Sequence, residues 1–399
     1  MNREKIVFFS MIFVVLSIHI AAQQNNILKQ EDGTILLDGE KSYKPTKKNE
    51  KPDYPYPLDN PPEFHYKLLD FGERPYWSPD GKRIAFVESN YGDICEIDVE
   101  TRKVKNLTKN LGEHHSFLRV LFLPTGDYIL IGPAQFKDRH TSRRVESELW
   151  FMDKDVSEPP KSLGRRIFEG CGVSRIANRI TFAVNGEQEP SIGSVDQYEV
   201  HIADIEINGK NARLVNDRVL YRAEKGFEPE PQDFRFDDSE IIMAEYYSPK
   251  GDILRETDNF CTVKGINIKT SEVKLYIYEP GIHNECEGIF PNDENYTCLE
   301  SSAHNEINSN TPTDLWKLKL DGSGERVRMT RMVERKPWRT SNSNVSPDGK
   351  WLAFMINIHT SEAGYGMGLG LLDLEAWEKS DYAKQWEVPN NMKITIVNQ

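Results

Sequence analysis

Along most of the chain, short runs of apolar residues, or of strict apolar–polar alternation, are broken by clusters of Pro, Asp, Asn and Gly. That is the pattern of brief β-strands joined by tight turns. The clearest unit is Tyr-Trp-Ser-Pro-Asp-Gly-Lys-Arg-Ile-Ala-Phe, from Tyr76 to Phe86, which returns as Asn-Val-Ser-Pro-Asp-Gly-Lys-Trp-Leu-Ala-Phe from Asn344 to Phe354. In both, Pro pre-sets a turn dihedral and Gly takes the position other residues avoid, so two strands meet at a tight hairpin. Looser copies begin at Phe122, Phe236 and Phe290, and one beginning at Val173 lacks both Pro and Gly. A further apolar run follows every copy, near 94–99, 148–152, 198–205, 260–268, 315–320 and 369–374, and a weaker fourth usually comes after, as at 103–108.

Copies spaced by roughly 45 to 55 residues, four strands apiece, predict an all-β chain folded as a single β-propeller of six four-stranded blades. The segment 64–71 either adds a strand that closes the ring or opens a seventh blade. Over residues 73–397 the repeats resemble the Tol-B-type, WD-like propellers of exported bacterial proteins, a likeness carried by the Ser-Pro-Asp-Gly-Lys turns. The resemblance implies a fold and is silent about activity.

Ahead of the repeats, Arg3 and Lys5 precede the apolar run 6–20 and the Ala21-Ala22-Gln23 junction, the layout of a cleaved secretory signal over 1–22. That run is short for a membrane span and no later stretch is apolar enough for one, so the chain is expected to be secreted or periplasmic, not membrane-embedded. Residues 23–62, rich in Lys, Pro, Asn and Asp, read as a poorly ordered lead-in to a propeller domain over 63–399. A hydrophobic content of 38% is enough to bury a core. The formal net charge of −13 argues against nucleic acid as a partner, although a local basic patch can still hold a polyanion. Five cysteines, an odd number, exclude a complete disulfide framework.

Strands alternate in direction within a blade. The Ser-Pro-Asp-Gly turns therefore share one face, and the loops between second and third strands share the other with the connections between blades. Cations gather on that second face: Arg139, His140, Arg143 and Arg144 in the loop 135–144, and His114, His115, Arg165, Arg166, Arg222, Arg335, Lys336 and Arg339 in the connections. Such a patch can steer and hold an anionic polysaccharide, or be an ordinary solvated surface. His115 and His140 belong to one blade, and a near-neutral pKa suits a histidine to proton transfer, although a loop histidine is often simply solvated.

More weakly, this arrangement resembles the propeller-fold lyases that cleave ulvan, a sulfated polymer of rhamnose and uronic acid. In that family a histidine pair, a tyrosine and an arginine on one face remove the proton beside the uronate carboxylate and expel the linked sugar. The resemblance implies His115 and His140 as the pair, Tyr198 or Tyr246 as the tyrosine and Arg222 as the group that neutralises the carboxylate. Arg139, Arg143, Arg144, Arg165 and Arg166 would hold the substrate. The alternative is a non-catalytic exported propeller that binds a protein or glycan, for which an exposed apolar patch is expected instead.

The fifth blade carries His283-Asn-Glu-Cys286, then Cys298 and His304. A hairpin turning at 291–293 would set Cys286 opposite Cys298, with both histidines just beyond. Two thiolates and two imidazoles are the donor set of a structural Zn2+ site. A Cys286–Cys298 disulfide or free thiols is the other reading, and Cys261 is a substitute ligand. Glu228, Glu230, Glu285 and Glu287 could supply a base or bind a cation, or merely line a wet channel. Neither a serine-hydrolase elbow nor a phosphate-binding loop is present.

Overall fold

The computed structural model describes residues 43–248, 260–304, 312–358, 360 and 364–389; the secretory signal expected over 1–22 lies outside them. Among the described residues the chain forms six antiparallel sheets of four strands each. Their innermost strands, blades 1 to 6 in order, are Glu73–Trp77, Arg119–Phe122, Phe168–Val173, Phe227–Arg235, Asn284–Ile289 and Trp338–Val345. Inner strands of blades 3, 4, 5, 6, 1 and 2 lie side by side in turn, so the sheets radiate from a central channel as a six-bladed β-propeller. His65–Leu69 decides the closure. It pairs antiparallel with Leu369–Asp373 and becomes the outer strand of blade 6, so among the described residues the first strand completes the last sheet and there is no seventh blade.

Most blades pack on a neighbour at both faces, so second strands such as Tyr128–Gly132 and Trp351–Ile358 are buried along nearly their whole length and do not simply alternate. Phe151 of blade 2 and Phe182 of blade 3 share one buried layer. Ile242 of blade 4 packs with Leu318 of blade 5, and Phe290 of blade 5 with Phe354 of blade 6. Full burial of one such side chain contributes about 1.5–3 kcal/mol. The repeated turns share one hydrogen-bond design. Ser78 Oγ donates to Asp80 at 2.6 Å and Gly81 N–H to the Ser78 carbonyl at 2.9 Å; Ser346, Asp348 and Gly349 repeat this at 2.6 and 2.8 Å. Gly81 and Gly349 sit at φ 68° and 72°, the left-handed region that the turn requires.

Residues 43–62, assigned from sequence to a poorly ordered lead-in, make defined contacts across blades 1 and 6. The Thr46 N–H donates to Glu88 at 2.9 Å, Asn49 Nδ2 to Glu73 at 2.6 Å, and Trp338 Nε1 to the Pro55 carbonyl at 2.8 Å. A composition rich in Lys and Pro conceals this strap because its anchors are single residues spaced too irregularly to form a pattern. Among the described residues no helix is long and apolar enough to cross a membrane.

Five of the six inner strands carry a register irregularity against their neighbour, between Glu73 and Tyr76, Phe168 and Cys171, Pro231 and Asp233, Cys286 and Gly288, and Ser341 and Asn344. Bulges of this kind re-aim side chains. Four of them span or adjoin a charged residue, Arg74, Glu169, Asp233 or Glu287. Gly170 adds a close approach: a Cβ there would lie 2.6 Å from the Glu230 Cα, so only glycine lets the inner strands of blades 3 and 4 come together.

Candidate active site

The charged ends of the inner strands meet at the channel mouth, on the face of the loops between second and third strands. One side is built on arginines. The loop of blade 2 winds through a helical turn, Thr141–Val145, that directs Arg143 and Arg144 inward. Arg143 pairs with Glu169 and lies 3.9 Å from Glu230, while Arg74 pairs with Glu169 from blade 1. Arg144 donates to Glu228 and to the Tyr198 hydroxyl, both at 2.9 Å, and Tyr198 donates to Glu228 at 2.7 Å. Burial alone would raise the Glu169 carboxyl, but Arg143, Arg74 and Arg119 hold it well below the usual carboxylate range. Glu230 goes the other way. Burial and the negative charges of Glu169 and Glu285 push it well up.

The other side centres on His283. Its Nε2 lies 3.4 Å from Glu285 and 3.9 Å from Glu300, and its Nδ1 lies 3.6 Å from the Cys261 sulfur. Arg339 approaches Glu300 at 3.5 Å, and Thr313 Oγ1 donates to the same carboxylate at 2.9 Å. Burial opposes the ionised form of Glu285, yet the hydrogen bond and charge of His283 lower it; Glu287, buried beside Glu285 and Glu300, is pushed well up. Among the described residues, His283, Glu285 and Glu300 are the one group of three whose donor atoms lie within 4.8 Å of one another. One imidazole and two carboxylates, all buried, fit a divalent cation of the Zn2+ or Mn2+ type. Glu230 and Tyr246 join the two sides, because both feel the charge of Glu285 and Glu230 also feels that of Glu228.

Of the residues singled out from sequence, Tyr198, Tyr246, Arg143, Arg144 and His283 are brought to this mouth. His115 and His140 are not brought together: His115 Nδ1 lies 2.7 Å from Asp93, His140 Nε2 lies 3.5 Å from Glu187, and both rings are exposed. Arg139 stays in the rim loop. Arg222 stands on the outer strand of blade 3 and pairs with Glu199. Arg165 and Arg166 lie on the outer strand Lys161–Arg166 of blade 2, where Arg165 binds Glu189 and Asp217. The four-residue set His283, Cys286, Cys298 and His304 is not gathered either. Cys286 faces Leu299 across the hairpin and Cys298 faces Gly288, because the bulge slips the register. The two thiols fall in different apolar layers, and all five cysteines are free and buried. His304 stacks on Trp316 at 6.3 Å, and burial drives its pKa down to about 3.

Glu300 and Glu169 had no assigned role from sequence, and Arg339 was read only as one cation of the face. A signal existed for Glu300, a lone charge ending the otherwise buried strand Tyr-Thr-Cys-Leu-Glu-Ser. Glu73 extends the same logic to pH. Burial pushes its carboxyl from 4.5 up to about 8, so the unfolded chain ionises first and stability falls as pH rises through that interval. Glu73→Gln should flatten the fall in urea midpoint across the interval; parallel curves for variant and wild type would refute this.

No family model matches the chain, and no curated protein does. Solved propellers resemble it. TolB from Acinetobacter baumannii matches at 10% identity and a TM-score of 0.45, over 80% of this chain and 65% of that one. An oligogalacturonate lyase from Vibrio parahaemolyticus matches at 10% identity and 0.44, over 78% and 94%, and an oligogalacturonate lyase in complex with manganese at 15% and 0.45, over 76% and 77%. These likenesses are of fold.

Proposed function

We propose that the chain is an exported polysaccharide lyase that cleaves a uronate-containing, ulvan-like anionic saccharide by β-elimination at the channel mouth. The observation that carries this reading is the placement of Tyr198, held between Arg144 and Glu228, in the same opening as the buried His283–Glu285–Glu300 group, with Glu230 between them.

β-Elimination needs the uronate carboxylate masked, a proton taken from the adjacent carbon and a proton given to the leaving oxygen. Arg143 and Arg144 offer guanidinium groups for the masking through charge-assisted hydrogen bonds. Tyr198 already directs its own proton at Glu228. It is placed to accept the carbon's proton as its own passes to that carboxylate. Tyr246, a phenol within reach of Glu230 and Glu285, is placed to protonate the leaving oxygen. A divalent cation, Zn2+ or Mn2+, would be held by His283, Glu285 and Glu300, and when bound it supplies charge that stabilises a developing enolate. His115, His140 and Arg222 then act at the rim, in contact with more distant parts of the polymer.

Incubation of the mature chain with ulvan and with polygalacturonate should produce the ultraviolet absorbance of an unsaturated uronate; no product from either polymer overturns the reading. The cation has a readout of its own. At about 100 times its dissociation constant, Zn2+ or Mn2+ should stabilise the wild-type chain by about 2.7 kcal/mol. Glu300→Gln and His283→Ala should each lose that gain in thermal melts. Equal gains in variants and wild type would place the ion elsewhere.

A further inference from the structure

Between blades 1 and 2, on the rim of the same mouth, three features coincide that the chemistry above does not use. Tyr91, in the loop between the second and third strands of blade 1, holds φ at 49°, a costly conformation for a residue with a side chain. Its ring is buried, and its hydroxyl has no hydrogen-bond partner. Burial pushes that hydroxyl up to about 12, and it feels the charges of Arg143, Glu169, Arg74 and Arg139. Leaving a buried donor unsatisfied is costly unless a ligand supplies the acceptor.

Phe136, from the neighbouring loop of blade 2, lies against Tyr91 with ring centroids 4.6 Å apart and planes at 41°. Although apolar, it is 42% exposed. The position is not a loose loop tip, because the Phe136 N–H donates to Ser116 Oγ at 3.0 Å and the next N–H, of Lys137, to Ser142 Oγ at 3.0 Å. His114 braces the start of the loop, its Nε2 2.7 Å from the Pro133 carbonyl and its ring tilted 4.1 Å from Trp150 and edge-on 4.0 Å from Phe117. The fold therefore holds an exposed aromatic ring against the ring that carries the unsatisfied hydroxyl.

We infer that Phe136 and Tyr91 form a saccharide subsite, in which the Phe136 ring stacks on the C–H face of one pyranose unit and the Tyr91 hydroxyl donates to a ring substituent of that unit. The electron-rich face of an aromatic ring attracts the weakly positive C–H bonds of a sugar, and Arg143 links this unit to one held at the mouth. The inference rests on the mouth being a saccharide site. It adds a second point of attachment, so affinity should rise with oligomer length until both points are filled.

The test is calorimetric titration of the full chain with oligogalacturonates and ulvan oligosaccharides of increasing length. Phe136→Ala should weaken binding of the longer oligomers about five- to tenfold, and Tyr91→Phe about fivefold, with melting temperatures unchanged and the shortest oligomers bound as before. Two results overturn the subsite: Phe136→Ala and Tyr91→Phe binding every length as the wild type does, or losing all lengths equally. If the subsite behaves as expected while the wild type releases no unsaturated product, the lyase reading fails and the subsite stands. Product release with an unchanged length profile in Phe136→Ala is the converse, in which the subsite fails and the lyase reading stands.

Discussion

Tyr198→Phe is expected to cut the rate of unsaturated-uronate release by about 10²- to 10⁴-fold, the range typical for loss of a proton-transfer group. The variant removes one oxygen. Arg144 keeps both of its contacts with Glu228, at 2.9 and 3.2 Å, so the shape and charge of the mouth persist. Arg144 Nη1 loses one acceptor, which costs little beside a carboxylate it still holds. The loss should therefore fall on kcat with KM nearly unchanged, the split that marks an interaction made in the transition state. A Tyr198→Phe variant that turns over at the wild-type rate would remove this tyrosine from the chemistry; a raised KM at constant kcat would leave it a binding role only.

The largest effect on stability is expected from Glu169→Ala. Glu169 and Arg74 are deeply buried, Arg143 is partly buried, and the single carboxylate answers both guanidinium groups. Removing it leaves the Arg74 charge buried and uncompensated and takes from Arg143 its closest carboxylate, where breaking a buried pair costs about 3–5 kcal/mol. Because the arginines hold the Glu169 carboxyl below its ordinary range, its contribution is fully present above the ordinary carboxylate pKa and disappears as pH falls below it. Chemical denaturation at neutral pH should show the whole loss, with the curves of variant and wild type converging in acid. Equal stability at neutral pH would mean that water or another carboxylate shields the arginines. Glu169→Gln is the control for shape, since it keeps the volume and one acceptor; a deficit shared by both variants assigns the effect to charge.

How far the site can be read from the residues alone depends on how local each contact is. The turn at Ser78–Gly81 and its copy at Ser346–Gly349 are complete within a few residues, so their hydrogen bonds follow from the string of letters. Arg143 and Arg144 were found because strand direction assigns each loop to a face, and face assignment needs only a count of strands; Tyr198 and Tyr246 came with the resemblance to ulvan lyases. The same rule brought in His115, His140 and Arg222, since it distinguishes faces but not radius. It cannot say which residues of a face point at the channel and which at the rim. Distance from the axis is set by the packing of neighbouring blades and by the bulges on the inner strands.

The intended Cys286–Cys298 facing pair shows the limit at the scale of one residue. A uniform hairpin centred on the turn puts the two opposite each other. The slip between Cys286 and Gly288 moves Cys298 by a register position and turns its sulfur into the layer with blade 6, where it lies 2.8 Å from Ser343 Oγ. Glu285 pairs with Glu300 ahead of the slip, and the metal-capable group that did form uses these carboxylates in place of thiols.

By itself the sequence determined the class of fold, the six-fold repeat, the turn chemistry and the face to which each loop belongs, because each depends on period, on dihedral preference or on strand direction, all of which act over a few residues. Closure by the first strand, the docking of residues 43–62, and the meeting of His283 with Glu300 and of Arg74 with Glu169 were decided only by the tertiary structure. These partners come from different strands and different blades, and a buried charge takes whichever counter-charge the packed blades bring within reach. Neither composition nor spacing records that choice, since it is made by the radius and register at which the blades close the ring.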